Sequence, residues 1–348
     1  MTVRGLLALT VLLVACLSAE ARAAGHDLSV MLYDPDLVAA WKSVFVDPFI
    51  TATGIQASAG SWSGGLPALT QQLKAPENGW DLVMMDGDTL GPACANGLLE
   101  KLDFSQIGGR DHYQPAAQSD CGVGATVANL VLAWDRTKLP TTPGWSDFWD
   151  VTKFPGKRGL HRGVRGNLEI ALMADGVAPA DVYKTLATSE GVDRAFRKLD
   201  QLRPYIVWWD TPDEAAKILA SGDVLMTSAP SAPIVQAGRA QQRDFGIQWA
   251  GSLYDVLSFA VPKGAANARA AMQFLYFSGT PAIEARLVAG YGLGGLAKGA
   301  NDGLPPDLAA VSATLPANLQ AGLRVDSGFW LANQAKLQQR FDAWLAQK

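Results

Sequence analysis

The chain has 348 residues, of which 49% are hydrophobic and 18% are charged, and its formal net charge is −4. A nucleic-acid-binding surface needs an excess of Lys and Arg, so this charge balance argues against a nucleic-acid partner. A chain of this length exceeds what one hydrophobic core usually organises, and we therefore expect two lobes.

The first 23 residues have the features of a secretory signal peptide. Arg4 precedes an apolar run over residues 5–17, and small residues follow that run. The run is too short to span a membrane, so we predict cleavage before Ala24, export to the periplasm and no stable membrane insertion. The residues ending at Cys16 also resemble a lipobox, but the small residues beyond them favour ordinary cleavage over lipid anchoring through Cys16.

Cys94 and Cys121 are the cysteines that remain after cleavage. Exported proteins mature in an oxidising compartment, where a pair of cysteines is a candidate disulfide. Two separate buried thiols are the alternative.

Hydrophobic periodicity predicts strands that alternate with helices from the start of the mature chain. A buried strand over 28–33 is followed by a helix from Asp36, whose apolar residues recur at helical spacing until Gly54. The alternation continues with a strand at 55–57, a helix at 66–73 and a strand at 80–85. This order is typical of a largely parallel sheet in an α/β fold.

The same alternation resumes in the second half of the sequence. Predicted helices lie at 178–188, 191–202, 212–220 and 229–242, and predicted strands lie at 205–208 and 224–226. Between the halves, two apolar stretches at 123–134 and 253–262 are long enough to run as strands from one lobe into the other. We interpret them as a two-strand hinge.

These elements predict a two-lobe fold with two doubly wound α/β domains. Residues 24–126 together with 256–300 form the first lobe, and residues 127–255 form the second. Residues 301–348 form a C-terminal helical segment that packs across both lobes, with a helix over 329–345 that has Trp330, Leu337, Phe341 and Leu345 on one face.

The sequence offers little support for catalysis. Its three histidines, His26, His112 and His161, have no metal-ligand spacing. Residues 60–64 resemble a nucleophile elbow, but Trp62 occupies the position that requires serine. Phosphate-binding glycine motifs are absent as well. We therefore expect no enzyme activity, no metal and no cofactor, and a secreted enzyme or a sensor-linked binding protein are the rival hypotheses.

Polar and aromatic side chains instead follow the predicted strands, where open α/β sheets bind ligands. The Trp62 loop is a further candidate, since its ring and backbone N–H groups could contact a solute. The candidate ligand-binding residues are Tyr33, Asp34, Trp62, Asp86, Asp88, Arg162, Arg165, Trp209, Asp210, Tyr254 and Asp255. Each has a structural alternative: Asp86 and Asp88 could cap a helix, the arginines could be solvated, and Trp209 could lie in the core.

Several short motifs, in this order and spacing, resemble the spermidine/putrescine-binding family of extracellular solute-binding proteins. They are Trp80-Asp81-Leu82-Val83, residues 97–103, Trp145-Ser146-Asp147-Phe148-Trp149, Phe154-Pro155-Gly156-Lys157 and Ala260-Val261-Pro262-Lys263-Gly264. The resemblance implies a type II periplasmic binding protein that closes on a small solute. It also implies ABC permease subunits and a cytoplasmic ATPase as partners, and we expect a monomer.

The ligand is where the sequence departs from that family. Polyamine binders hold ammonium groups with carboxylates, yet basic Arg162 and Arg165 stand here where the family has an acidic pair. Arginines facing Asp86 and Asp88 across a cleft would suit a solute with a carboxylate at one end and an ammonium at the other. A polyamine is the first expectation, and a γ-aminobutyrate-like zwitterion is its alternative. A ferric-ion binder is disfavoured because no two tyrosines are adjacent.

Overall fold

The computed structural model describes residues 27–74 and 79–347, with the side chain of Asp36 left out. The predicted signal peptide and Cys16 lie outside these residues. Within them, nine strands form one mixed sheet. The strands are β1 (Leu28–Tyr33), β2 (Ala57–Trp62), β3 (Leu82–Met85), β4 (Gly122–Asp135), β5 (Arg158–His161), β6 (Ile206–Trp209), β7 (Met226–Ala229), β8 (Phe245–Ala260) and β9 (Leu323–Arg324).

Helices cover both faces of this sheet. The α-helices are α1 (Val38–Trp41), α2 (Asp47–Thr53), α3 (Leu66–Leu73), α4 (Gly87–Ala95), α5 (Trp145–Trp149), α6 (Asn167–Ala174), α7 (Val182–Leu186), α8 (Ser189–Leu202), α9 (Pro212–Ser221), α10 (Ser231–Gln241), α11 (Ala268–Ser278), α12 (Pro281–Tyr291), α13 (Pro306–Val311), α14 (Pro316–Ala321) and α15 (Ser327–Leu345). A π-helical turn at Lys42–Val46 joins α1 to α2, and 3₁₀ turns lie at Pro35–Leu37, Phe104–Ile107, Arg110–His112, Pro115–Ala117, Pro179–Asp181 and Arg203–Tyr205.

The long strands β4 and β8 connect the two halves of the sheet. They pair antiparallel from Gly122 opposite Ala260 to Asp135 opposite Phe245, with two irregularities in the register. The strand order is β2-β1-β3-β8-β4-β7-β5-β6, so β3 joins the end of β8 and β7 joins the end of β4. The apolar stretches predicted as crossing strands correspond to β4 and to the second half of β8, which ends at Ala260 instead of residue 262.

Each half of the sheet is built from parallel strands. In the first half β1 lies between β2 and β3, and in the second half β5 lies between β6 and β7. Side chains on both faces of β3 are buried, which is typical of parallel strands covered by helices. Two large hydrophobic clusters follow, one around Phe45, Phe259 and Phe274 and one around Phe148, Leu168 and Phe341.

The expected α/β fold class is confirmed, and individual elements differ in their limits. Strand β2 covers residues 57–62 instead of 55–57. In α15 the buried face contains Trp330, Leu337, Phe341 and Trp344, whereas Leu345 is half-exposed. Trp344 follows Phe341 at helical spacing and so continues the buried face. The prediction that Leu345 ends this face was wrong by one position.

Strand β5 was not predicted because its first residue looks like part of an exposed basic turn. Arg158 is in fact fully buried. Its guanidinium donates to the main-chain carbonyl oxygens of Phe148 and Phe154, each at 2.6 Å, and of Gly156 at 2.8 Å. A buried guanidinium requires such partners, and the residues that supply them are not visible in the local pattern.

Cys94 and Cys121 form a disulfide, as predicted. Cys94 lies in the last turn of α4, and Cys121 immediately precedes β4. The bond therefore attaches the C-terminal end of α4 to the start of the longest antiparallel pair in the sheet.

Removing this disulfide should lower the free energy of unfolding by about 3–4 kcal/mol, because the unfolded chain loses a closed loop that spans a sequence separation of 27. Denaturant unfolding with and without reductant measures the change. The Cys94→Ala/Cys121→Ala protein is the control, since reductant should not affect it. Two reactive thiols per chain in the denatured, unreduced exported protein would contradict the disulfide.

Candidate functional site

A cleft of about 340 Å³ lies where the two halves of the sheet meet. Its volume is in the range of small-molecule sites. The candidate residues that line it are Tyr33, Asp86, Arg165, Trp209, Asp210, Tyr254 and Asp255. Tyr33, Asp86 and Trp209 lie at or just after the C-terminal ends of β1, β3 and β6, whereas Tyr254 and Asp255 lie in the middle of β8.

Asp86 is held at the start of α4 by two hydrogen bonds. As the N-cap residue it accepts a bond from the Thr89 N–H at 2.9 Å, and it accepts another from the Tyr33 hydroxyl at 2.9 Å. Burial and the neighbouring Asp86 raise the pKa of Tyr33, so this phenol stays protonated as a donor. The helix-capping alternative is therefore correct for Asp86, and the same carboxylate also faces the cleft.

Asp255 is a buried carboxyl group beside Asp86. Its oxygens accept hydrogen bonds from the Gly87 N–H at 3.3 Å and from its neighbour Val256 at 2.8 Å. A Cβ atom on Gly87 would lie 2.7 Å from the Asp255 carboxylate, so a larger residue there would displace this side chain. Burial raises the pKa of Asp255 to about 6, Asp86 adds to the rise, and Arg165 opposes it. Part of the Asp255 population is therefore protonated near neutral pH.

Arg165 brings a positive charge to these carboxyl groups from the other half of the sheet. It forms an ion pair with Asp88 in the first turn of α4, with a second contact of 3.4 Å to the same carboxylate. Its guanidinium also lies 3.8 Å from Asp255. The side chain of Arg165 remains one-third exposed and lines the cleft.

An aromatic pair borders the second side of the cleft. The His161 and Trp209 rings lie 4.7 Å apart, and burial lowers the pKa of His161, so its ring is neutral at pH 7. Trp209 is only 4% exposed. Among the described residues its indole N–H has no hydrogen-bond partner. An unpaired buried donor is unusual in a folded protein and calls for an explanation such as a ligand.

The remaining candidate residues do not line this cleft. Asp34 turns the chain after β1 with φ 65°. The Trp62 ring is buried against Trp80, and its N–H donates to the Met84 carbonyl at 2.7 Å. Arg162 forms an exposed ion pair with Asp210 at 3.1 Å.

Asp88 lines a neighbouring cavity of about 400 Å³ against α15, together with His161 and Arg165. It is therefore near the cleft but belongs to its outer side. Its carboxylate is paired with the Arg165 guanidinium, and Arg165 lines both cavities.

Sequence reasoning missed two polar residues that line the cleft. Asn129 lies on β4 and exchanges hydrogen bonds with Ser231, each at 2.9 Å. His161 ends β5, a strand that was not predicted, so its place at a strand end could not be recognised. Both side chains line the cleft with the candidate residues, His161 at the end of β5 and Asn129 in the middle of β4, opposite Tyr254.

Neither a metal cluster nor a membrane span is present in the residues described. Over 27–74 and 79–347, no three His, Cys, Asp or Glu side chains are grouped to hold a metal ion. Over the same ranges, no helix has the length and apolarity to cross a bilayer.

Comparisons with known proteins agree with this architecture. The profile described as bacterial extracellular solute-binding protein matches residues 45–317, and the chain belongs to that family. It is 38% identical over 330 residues, 94% of both chains, to the gamma-aminobutyric acid-binding protein of Pseudomonas aeruginosa.

Two solved structures share its fold over almost their whole length. An ABC transporter substrate-binding protein of Bradyrhizobium japonicum is 29% identical, with 92% of this chain and 99% of that chain covered and a TM-score of 0.78. The second structure, described as the Atu4243-GABA receptor, is 26% identical. The match covers 92% of this chain and 98% of that chain, with a TM-score of 0.78.

The protein is therefore the substrate-binding component of an ABC transporter, with the two-lobe fold of periplasmic binding proteins. Its relatives are solute-binding proteins and not enzymes. Proteins of this class work with permease and ATPase subunits, and the extracellular family implies a periplasmic location. The resemblance to the spermidine/putrescine-binding family identified the class of protein correctly. The comparisons do not confirm a specificity for polyamines.

The charges around Asp255 can be tested by titration. Arg165 is the cation that opposes the raised pKa of Asp255. Replacing it with Ala should therefore increase this pKa by about one pH unit or more above 6. Carboxyl ¹³C NMR of the ligand-free protein measures it. Arg197→Ala, an exposed arginine on α8, should leave the value near 6. A wild-type Asp255 that titrates near 4 would contradict the geometry.

Proposed function

We propose that this protein binds a small zwitterion of the γ-aminobutyrate class in the cleft between the two halves of its sheet. The observation that carries the proposal is the meeting of Arg165 with Asp86 and Asp255 around one cavity. The 38% identical relative, a gamma-aminobutyric acid-binding protein, supports the same ligand class.

The carboxylate end of the ligand would bind Arg165. A guanidinium offers parallel N–H groups that match a carboxylate, and the Arg165 side chain is one-third exposed. Trp209, whose indole N–H has no partner among the described residues, lines the same cavity as Arg165. Asp88 is paired with the guanidinium and would share it with the carboxylate of the ligand.

The ammonium end would bind the carboxyl groups of Asp86 and Asp255. These groups lie close enough for Asp86 to raise the pKa of Asp255, so a cation between them would relieve the repulsion and favour ionised Asp255. The Tyr33, Tyr254 and Trp209 rings border the same cavity and offer apolar surface and π faces to the short methylene chain.

A polyamine is the second candidate ligand. Around the cleft the carboxyl groups of Asp86, Asp88, Asp210 and Asp255 outnumber the two guanidinium groups of Arg162 and Arg165, and such an excess favours a cation. In that case Arg165 would keep Asp88 as its partner and would not contact the ligand. The two hypotheses therefore differ in the role of Arg165.

Replacing Arg165 with Ala should weaken binding of γ-aminobutyrate at least tenfold, because its carboxylate loses a charged partner. Binding of putrescine should be unchanged or tighter, since a nearby cation is removed. Titration calorimetry on the mature protein measures both ligands, and Arg197→Ala is the charge-matched control. If the wild type binds putrescine tightly and ignores γ-aminobutyrate, the polyamine hypothesis is correct.

We also propose that the two lobes close on the ligand about β4 and β8. Lobe limits at residues 126/127 and 255/256 place Asp255 beside the point where β8 crosses between them. Strands that run continuously through both halves can bend as a hinge while each half keeps its packing.

Saturating γ-aminobutyrate should therefore reduce the radius of gyration of the mature protein, while its scattering mass stays that of a monomer. Small-angle X-ray scattering with and without ligand measures both quantities. The Arg165→Ala protein is the control: because it binds at least tenfold more weakly, its radius should begin to fall only at a γ-aminobutyrate concentration at least tenfold higher. An unchanged radius in saturated wild type would contradict closure.

A further inference from the structure

Glu169 is a buried carboxyl group that the ligand cleft does not use. It lies in the first turn of α6, its side chain is fully buried, and it does not line the cleft. Burying a carboxyl group is costly unless its oxygens are hydrogen-bonded, and an apolar residue of similar size would often be more stabilising. Its presence therefore calls for a reason other than packing.

Three donors from separate parts of the chain converge on this carboxyl group. The Gly166 N–H donates at 2.9 Å, the Tyr183 hydroxyl at 3.0 Å and the Trp330 indole N–H at 2.7 Å. Burial raises the pKa of Glu169, and these hydrogen bonds oppose the rise. Glu169 thus connects α6 to α7 and to the C-terminal helix α15.

The Gly166 contact connects Glu169 to Arg165, the preceding residue. Gly166 has φ +88°, and a Cβ atom there would lie 2.8 Å from Leu130, so the backbone can take this path only as glycine. The Asn167 side chain closes the same turn by donating to the His161 and Gly163 carbonyl oxygens, each at 2.7 Å. Hydrogen bonds from the first turn of α6 therefore hold the short loop before Arg165 in place.

Residues of α15 line one cavity together with both partners of the Arg165–Asp88 ion pair. Through Trp330 the helix binds the carboxyl group that holds the Arg165 loop. At its first residue, Ser327 lies beside Gly87, where a Cβ atom would be 2.8 Å from the serine hydroxyl. Movement of α15 would therefore displace residues on the Arg165 side and on the Asp86–Asp88 side of the cleft.

We infer that Glu169 is a positioning residue for Arg165, and that its contacts with Gly166 and Trp330 set the selectivity of the cleft for a carboxylate. The inference deepens the proposed function and rests on it, because it assigns to Arg165 the recognition of the ligand carboxylate. Glu169 acts on the guanidinium only through the backbone of residues 165 and 166.

The test compares γ-aminobutyrate with 4-aminobutanamide, which has the same chain but no carboxylate. In Glu169→Gln the introduced amide group faces N–H or O–H donors, so the contact with Gly166 or with Trp330 and Tyr183 is lost. The ratio of the two dissociation constants, at least tenfold in the wild type, should fall at least fivefold in this variant. A general loss of packing would weaken both ligands equally and leave the ratio unchanged.

Glu284→Gln is the matched control. Glu284 is also a buried glutamate outside the cleft lining, but the main-chain N–H that it accepts is that of Ala297, at 2.5 Å, and not one in the Arg165 turn. Its variant should keep the wild-type ratio. Trp330→Phe, which keeps an aromatic ring and removes one donor, should lower the ratio in the same direction and serves if Glu169→Gln does not fold.

A second readout needs no ligand. The Arg165 Nε–H NMR signal of the ligand-free protein should shift or broaden in Glu169→Gln and in Trp330→Phe, and it should be unchanged in Glu284→Gln. If the wild type ignores γ-aminobutyrate, the proposed function is wrong and this signal alone decides the inference. An unchanged Arg165 signal in either folded variant, or equal weakening of both ligands, would overturn it.

Discussion

The antiparallel pairing of β4 with β8 is the constraint on which the rest of this molecule depends. It runs from Gly122 opposite Ala260 to Asp135 opposite Phe245 and joins two groups of parallel strands into one sheet. Because parallel strands end together at one edge, each group places its functional side chains on the side that faces the other. The cleft lies where β4 and β8 pass between them.

The electrostatics of the cleft follow from this convergence. Asp255 is carried into the gap by the middle of β8, and Asp86 by the end of β3, so the two carboxyl groups meet in a poorly solvated place. Arg165 offsets part of their repulsion from the opposite side. Charges that are incompletely compensated in the free protein are available to a ligand that carries both signs, and this property distinguishes the cleft from an ordinary buried ion pair.

Much of the fold could be predicted because its signals are local. The alternation of apolar strands with amphipathic helices gave the α/β class, and the unusually long apolar stretches gave β4 and β8. Strand β5 escaped because the burial of Arg158 depends on carbonyl oxygens of other segments. Propensity and spacing contain no information about such partners.

The candidate residues also differ in whether local sequence signals or distant partners determine their positions. Tyr33, Asp86 and Trp209 were found because strand ends are visible in the sequence, and they line the cleft. The Trp62 candidate failed to reach it because its ring packs on Trp80 in the interior. Glu169 could not be recognised at all, since its donors Tyr183 and Trp330 are 14 and 161 residues away.

The disulfide between Cys94 and Cys121 affects where the protein becomes able to bind its solute. It fastens the far end of α4, the helix whose first turn presents Asp86 and Asp88, to the start of β4. Such a bond persists in an oxidising compartment and is rare in a reducing one. A reduced chain lacks that attachment, so the acidic side of the cleft gains its final rigidity only in an oxidising compartment such as the periplasm, the location that the family implies.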